Sequence, residues 1–281
     1  MDRPTIPAFG RRVPQRPAVR PGGPGAAGHG AAATPNATIV ERLDISPTVV
    51  RLRVRPDAGV PAFEPGQYLA LGVPVDERPL LRPYSTASPL GEDEALEFLV
   101  RLVPDGALTP RLWTLGPGGR VRLGPPKGLF IDDHGDPRRR LFIATGTGIA
   151  PLVSMLETRL YGTPDGAIRR RPIILHGASN EADLAYRDRL SSLAFAGRIR
   201  YVPVVSRPAD PANAAWRGTT GRLDALLPAV LASAAADPGD LVAFVCGSPG
   251  LVCGATASLA ALGVPDDAVR TEAYWTAPAA A

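Results

Sequence analysis

The stretch "RRLFIATGTGIAP", Arg139 to Pro151, runs from a strand-like apolar segment into a glycine-rich turn, and the helical "LVSMLETRL" follows at once. A strand apolar throughout is a strand covered on both faces, which is the mark of a parallel sheet. Downstream the alternation repeats. "RPIILHG" precedes the helical "EADLAYRDRLSSLA", "RIRYVPVVS" precedes the helical "RLDALLPAVLASAA", and "LVAFVCG" precedes the helical "SPGLVCGATASLAAL". The second half of the chain is therefore expected to be an α/β domain built on a parallel sheet, with ligands held at the carboxyl ends of the strands, where "GTGIAP" and "CGSP" fall.

Upstream of residue 139 the period shortens. In "TVVRLRVR" Val50, Leu52 and Val54 line one face while Arg51, Arg53 and Arg55 line the other. That is the alternation of a half-buried antiparallel strand. "TIVERLDI", "EPGQYLALGV", "LRPYSTAS", "ALEFLVRLV" and "RVRLGPPKGLF" continue it, with "VPDG" and "GPGG" as turns. Short strands at this spacing predict a small antiparallel β-barrel. One helix is expected within it at "LTPRLWTL", with Thr109 as N-cap and Pro110 as first helical residue.

A chain of 281 residues with 45% apolar content suits two ordinary domains. Their expected limits are 36–137 for the barrel and 138–275 for the α/β domain, with a tail at 1–35 and an extension at 276–281. Five arginines of the tail (Arg3, Arg11, Arg12, Arg16 and Arg20) against Asp2 account for the whole net charge of +4. Rich in Pro, Gly and Ala, the tail is expected to be disordered, and without aromatic interleaving its arginines do not point to nucleic acid. No apolar run reaches about 18 residues, so no membrane span and a cytoplasmic location are expected. Two cysteines, Cys246 and Cys253, and the scattered His29, His134 and His176 lack the spacing of a metal or iron-sulfur site.

Three motifs bear on chemistry. Gly146 and Gly148 let the backbone approach a ligand, and a helix N-terminus beyond them suits a pyrophosphate, although a tight strand-to-helix turn uses the same glycines. Ser248 and Pro249 cap the last helix, and Cys246 suits a core position as well as a site. "RPYSTASP", Arg82 to Pro89, gathers a cation, an aromatic ring and three hydroxyls between two strands. By itself it also fits a plain surface turn.

The order "RPYS", "GTGIAP", "CGSP" and "EAYW", on a barrel followed by a parallel sheet, resembles the ferredoxin-NADP reductase family over about residues 36 to 275. The bacterial ferredoxin/flavodoxin-NADP reductases are the most similar branch. The resemblance implies an FAD-binding barrel and an NADP-binding α/β domain. Arg82 would neutralise the FAD pyrophosphate, Pro83 and Tyr84 would lie against the isoalloxazine, and Ser85 would hydrogen-bond near its N5. Leu99 and Val100 would adjoin the flavin, Thr109 would supply a second phosphate contact, Tyr274 would cover the other flavin face, and Trp275 would lie on the adenine. Gly146, Thr147 and Gly148 would receive the nicotinamide dinucleotide, with Cys246 bordering the nicotinamide and Glu272 assisting Ser85 in proton and charge balance.

Two positions depart from the family pattern. "TAPAAA" follows Trp275, and Ser179 stands after "HGA" where the most similar branch has an arginine. Arg207 in "VVSR" and Arg222 in "TGR" stand where the family binds the 2'-phosphate, or are ordinary exposed arginines. The implied activity is electron exchange between NADP(H) and a small carrier, ferredoxin or flavodoxin, by a protein expected to be monomeric. The alternatives are an NADH-dependent reductase component of an oxygenase system and a non-catalytic flavin-binding module.

Overall fold

The computed structural model describes residues 34–75, 78–91, 94–162 and 170–274. The tail up to residue 33, Trp275 and the extension 276–281 lie outside the described residues. Strands β1 (Ala37–Ser46), β2 (Val49–Pro56), β3 (Tyr68–Val75), β4 (Arg78–Ser85), β5 (Leu96–Arg101) and β6 (Arg120–Leu123) form an antiparallel sheet, with helix α1 (Thr109–Trp113) before β6. Its order is β4-β3-β6-β1-β2-β5, and a bridge between Thr86 and Phe98 draws the two edges together into a barrel. Val50, Leu52 and Val54 point into its core, as the alternation predicts. On the outer face Arg51 and Arg53 pair with Glu41 of the neighbouring strand at 2.7 and 3.5 Å.

The second sheet holds β7 (Arg139–Thr145), β8 (Ile173–Ala178), β9 (Arg200–Val205), β10 (Thr219–Thr220), β11 (Leu241–Gly247) and β12 (Val269–Ala273), in the order β10-β9-β8-β7-β11-β12. All its pairs are parallel. Helices α2 (Ile149–Gly162), α3 (Arg187–Phe195), α4 (Leu223–Ser233) and α5 (Pro249–Ala261) cover it on both faces. Leu141 and Ile143 pack with α4 and α5, while Phe142 and Ala144 pack with α2. The chain leaves β7 for β8 on one side and returns to β11 on the other. A crevice opens at such a reversal, between the ends of β7 and β11.

Barrel and sheet share one core, since Ala87, Leu99 and Phe130 of the first half pack with Phe142, Ile149 and Met155 of the second. Polar ties reinforce it. Ser154 Oγ donates to the Ser88 carbonyl at 2.5 Å, and Thr158 Oγ1 accepts from the Leu90 N–H at 2.8 Å. Buried Arg140 reaches Asp132 at 2.8 Å, and that carboxylate also accepts from Arg159 at 3.1 Å.

Two local expectations fail for a common reason. Thr109 does not cap α1. Leu108 holds the N-cap position without a side-chain bond, and the Thr109 hydroxyl accepts from the Val103 N–H at 2.9 Å and donates to its carbonyl at 3.1 Å. The single helix expected over 181–194 is broken: a 3-10 turn covers Glu181–Asp183, Tyr186 is left-handed at φ 62°, and α3 begins only at Arg187. A left-handed tyrosine costs about 1 to 2 kcal/mol. The barrel offsets that cost, because Tyr186 donates to Glu97 at 2.5 Å and Asp183 accepts from Ser46 at 2.5 Å.

Candidate functional site

The "RPYS" segment ends β4, where Tyr84 lies opposite Leu69 and Ser85 opposite Tyr68. Pro83, which has no N–H to donate, is tolerated because β4 ends the strand order. Arg82 is exposed and donates to the adjoining Leu81 carbonyl at 2.8 Å, so most of its guanidinium faces solvent. Tyr84 rests on the barrel core, and burial pushes its phenol up to about 12. Ser85 is buried and ties the barrel to the second sheet, donating to Glu272 Oε1 at 2.9 Å.

Glu272 belongs to the last strand, in register with Cys246 of β11. One ladder bond further, the Tyr274 N–H donates to the Gly247 carbonyl at 2.7 Å. This extends the pairing and carries the tyrosine side chain back over the sheet end. There the Tyr274 phenol lies beside Ser85, Cys246 and Glu272 and interacts with them electrostatically. Three separate segments thus converge on one polar cluster. Burial raises the carboxyl of Glu272, and it raises the Cys246 thiol and the Tyr274 phenol well above their ordinary values. Of these three acids Glu272 is the one that burial moves upward from the carboxylate range, which makes it the group best suited to exchange a proton there.

The glycine turn after β7 divides into two functions. Gly146 sits at φ +55°, and a Cβ there would meet only the end of Arg101, at 3.6 Å, so its outer side is open. Gly148 answers a different need. A Cβ on it would lie 2.5 Å from the Cys246 carbonyl, so this glycine lets the turn pack on β11 rather than on a ligand. Thr147, between them, is half-buried. The second turn packs on the first through the Ser248 N–H, 3.4 Å from Thr145 Oγ1, and Ser248 caps α5 by accepting from Leu251 N at 3.3 Å.

The side chains of three expected contacts are engaged within the protein. The Leu99 side chain belongs to the core shared by the two halves and Val100 to the barrel core, so only their backbones can face a cofactor. The Thr109 hydroxyl is engaged by Val103, which leaves backbone alone to meet a phosphate at that corner. Three residues absent from the sequence expectations take part. Arg101 shares a face of β5 with Leu99 and ends beside Gly146. His176 is fully buried next to the same turn, with Nδ1 3.2 Å from the Tyr201 hydroxyl, and burial pushes its pKa down to about 4. Asn213, also buried, donates through Nδ2 to the carbonyls of Ser179 at 3.1 Å and Arg207 at 2.8 Å.

Asn213 therefore fixes the backbones of Ser179 and Arg207 side by side. Val205 pairs with Thr220, so Arg207 and Arg222 leave neighbouring strands two residues beyond one register position. Both arginines are exposed. Arg222 already holds a partner, gripping Asp224 through Nε at 3.1 Å and a terminal nitrogen at 3.0 Å. Among the described residues no helix is long and apolar enough to cross a membrane.

Comparison with known proteins matches each half of the chain to a family. Residues 36–131 match the oxidoreductase FAD-binding domain and residues 142–256 the oxidoreductase NAD-binding domain. The chain is 37% identical to ferredoxin–NADP reductase B of Sorangium cellulosum over 245 residues, covering 85% of this chain and 96% of that protein. It is 29% identical to the xylene/toluene monooxygenase electron transfer component of Pseudomonas putida, covering 86% of this chain and 66% of that one. In fold it is similar to a ferredoxin NADP+ reductase from Neisseria gonorrhoeae with bound FAD and NADP, at TM-score 0.71 and 24% identity over 85% of this chain and 97% of that one. With an FAD-binding barrel, an NAD(P)-binding sheet and a relative alike over nearly its whole length, this flavin-dependent oxidoreductase belongs to the ferredoxin–NADP reductase family.

Proposed function

We propose that the protein passes electrons between NADP(H) and a small one-electron carrier of the ferredoxin or flavodoxin type, with FAD as intermediary. The observation that carries this is the Ser85–Glu272 bond at 2.9 Å, which ties the barrel to the second sheet beside Tyr274 and Cys246. The residues present fit FAD by the chemistry of their donors. Arg82 offers a free guanidinium face for the pyrophosphate, and the Tyr84 and Tyr274 rings suit a flat heterocycle. FAD supplies the exchange of a hydride for single electrons. The chain's own residues position and balance charge: Ser85 presents a hydroxyl to the reacting edge, Glu272 holds the compensating proton, and Cys246 walls the nicotinamide side. Gly146 and Thr147 receive the dinucleotide, while Arg207 and Arg222 recognise the 2'-phosphate.

The test is the flavin spectrum of purified protein, recorded anaerobically as NADPH or NADH is added and again with ferredoxin or flavodoxin as acceptor. Flavin bleached faster by NADPH, with carrier reduced, is the expected result. A second reading is favoured by one feature: Arg222 is engaged by Asp224, and Ser179 offers no charge beside it. An NADH-dependent reductase of an oxygenase system would show this, and a wild-type preference for NADH establishes that reading instead. Protein that retains no flavin contradicts both.

A further inference from the structure

We propose that Asp224 is a positioning residue for nucleotide choice, restraining the guanidinium of Arg222 and so lowering the preference for a 2'-phosphorylated nucleotide. The inference rests on the proposed placement of the 2'-phosphate at Arg207 and Arg222, and it concerns how that site is governed.

The pair has the geometry of a fork. Arg222 Nε lies 3.1 Å from Asp224 Oδ1 and a terminal nitrogen lies 3.0 Å from Oδ2. Two parallel N–H groups directed at two carboxylate oxygens are the same two groups that would meet two phosphate oxygens. A phosphate must therefore compete with the carboxylate for one face of the guanidinium.

The two partners are not equally free to move. The Arg222 side chain is 69% exposed, whereas that of Asp224 is 19% exposed. Asp224 lies in the first turn of α4, where the helix end favours a negative charge. It also packs against α5, since a Cβ on Gly254 would lie 2.5 Å from Asp224 Oδ2. The Arg222 guanidinium holds the Asp224 carboxyl below its ordinary range, so the carboxylate is charged at any working pH. Binding of a 2'-phosphate then requires Arg222 to leave a fixed anion and leaves that anion near a second one. NADH meets neither obstacle. Arg207, whose backbone Asn213 clamps, carries the larger part of any NADPH preference.

The experiment compares wild type, Asp224→Asn, Arg222→Ala, Arg207→Ala and the double variant Asp224→Asn/Arg222→Ala in the FAD-loaded protein. Two ratios are read: affinity for 2'-phospho-AMP over AMP by calorimetry, and kcat/KM for NADPH over NADH. Asparagine keeps the shape that packs on Gly254, and flavin content with thermal midpoint verifies the fold. Asp224→Asn is expected to raise both ratios about tenfold at low salt and by less at high salt, where screening is stronger. In the Arg222→Ala background the gain should fall below about twofold, because the residue acts through Arg222. If Arg222→Ala lowers the ratios while Asp224→Asn leaves them unchanged, the restraint is refuted and the phosphate site stands. A gain that persists without Arg222 also overturns it. Should neither arginine variant alter either ratio, the placement of the 2'-phosphate itself is wrong.

Discussion

Two parts of the second sheet's carboxyl edge are built on opposite lines. Beside the β7–β11 crevice, Ser85, Cys246, Glu272 and Tyr274 come from both halves of the chain, the first two buried and the last two half-buried. At the β9–β10 edge, Arg207 and Arg222 are exposed, and only the backbone beneath Ser179 and Arg207 is fixed by a buried side chain. Buried hydrogen bonds to charged groups act unscreened and are costly to leave unmade, while exposed ion pairs contribute little and weaken with salt. The crevice should therefore govern how fast electrons move, and the edge only which nucleotide is preferred.

The largest effect is expected at the crevice. Glu272→Gln and Ser85→Ala should each slow flavin reduction by NADPH about a hundredfold, the lower range for loss of a proton-handling group. Nucleotide affinity should change less than threefold. Stopped-flow bleaching of the flavin measures the first, and titration with NADP+ the second. Combined, the two changes should cost little more than one, since the two residues act as one bonded pair. Additive losses would mean that the two groups act separately and that the bond between them is incidental.

Next comes the buried imidazole beside the glycine turn. Burial holds His176 near a pKa of about 4, against 6.5 when free. From pH 6.5 downward the unfolded chain takes up a proton that the folded chain refuses. Stability from this group is thus complete above pH 6.5, falls with falling pH, and levels off below about 4. The fall amounts to about 3 kcal/mol. Comparing wild type with His176→Phe isolates it from Glu157, whose carboxyl burial pushes up to about 7. Denaturant unfolding at pH 8 and pH 4.5 should show the difference between the two proteins shrinking by roughly that amount. A constant difference would place water or a charge beside the ring.

A smaller effect separates the two glycines of the turn. Gly148→Ala drives a Cβ to 2.5 Å from a main-chain carbonyl, whereas Gly146→Ala meets only open space and the flexible end of Arg101. The first should destabilise by about 2 to 3 kcal/mol through overpacking, the second by about 1 kcal/mol through its positive φ. Thermal unfolding ranks them. Equal losses would show that the turn shifts freely away from β11.

How much of this was legible in the residues follows the reach of the interactions. The strands and the covered faces of the parallel sheet were readable because apolar period is local, and Val50, Leu52 and Val54 point where their alternation says. Thr109 misled because a Thr-Pro pair reads as a cap, while its hydroxyl is claimed by Val103 across a loop. Tyr186 misled for the same reason at longer range, since Glu97 of the barrel breaks an otherwise sound helical pattern. Asn213, His176 and Arg101 carry no local signature at all. Each acts through a residue distant in the chain. Asp224 differs, standing two residues from Arg222 in plain view, where a charge of opposite sign was the available signal.

The smallest effect, at the exposed edge, is also the sharpest test of the contrast. A hydrogen bond to a charged partner contributes about 1.5 to 3 kcal/mol when shielded from water, and about 1.4 kcal/mol is a factor of ten. Exposure brings each arginine to the lower end of that range. Arg207 has its backbone fixed by Asn213 and no acidic partner of its own among the described contacts, so Arg207→Ala should lower the NADPH-over-NADH ratio of kcat/KM about tenfold. Arg222 must first release Asp224, bonded at 3.0 Å, so Arg222→Ala should lower it only about threefold. Both losses should shrink as salt rises from 0.05 to about 0.5 M, because the Debye length falls several-fold. The Glu272 and Ser85 losses should respond less, since Ser85 is buried and Glu272 half-buried. If the edge variants are as indifferent to salt as the crevice variants, the arginines fold inward on binding and the two regions are less different than their open geometry implies.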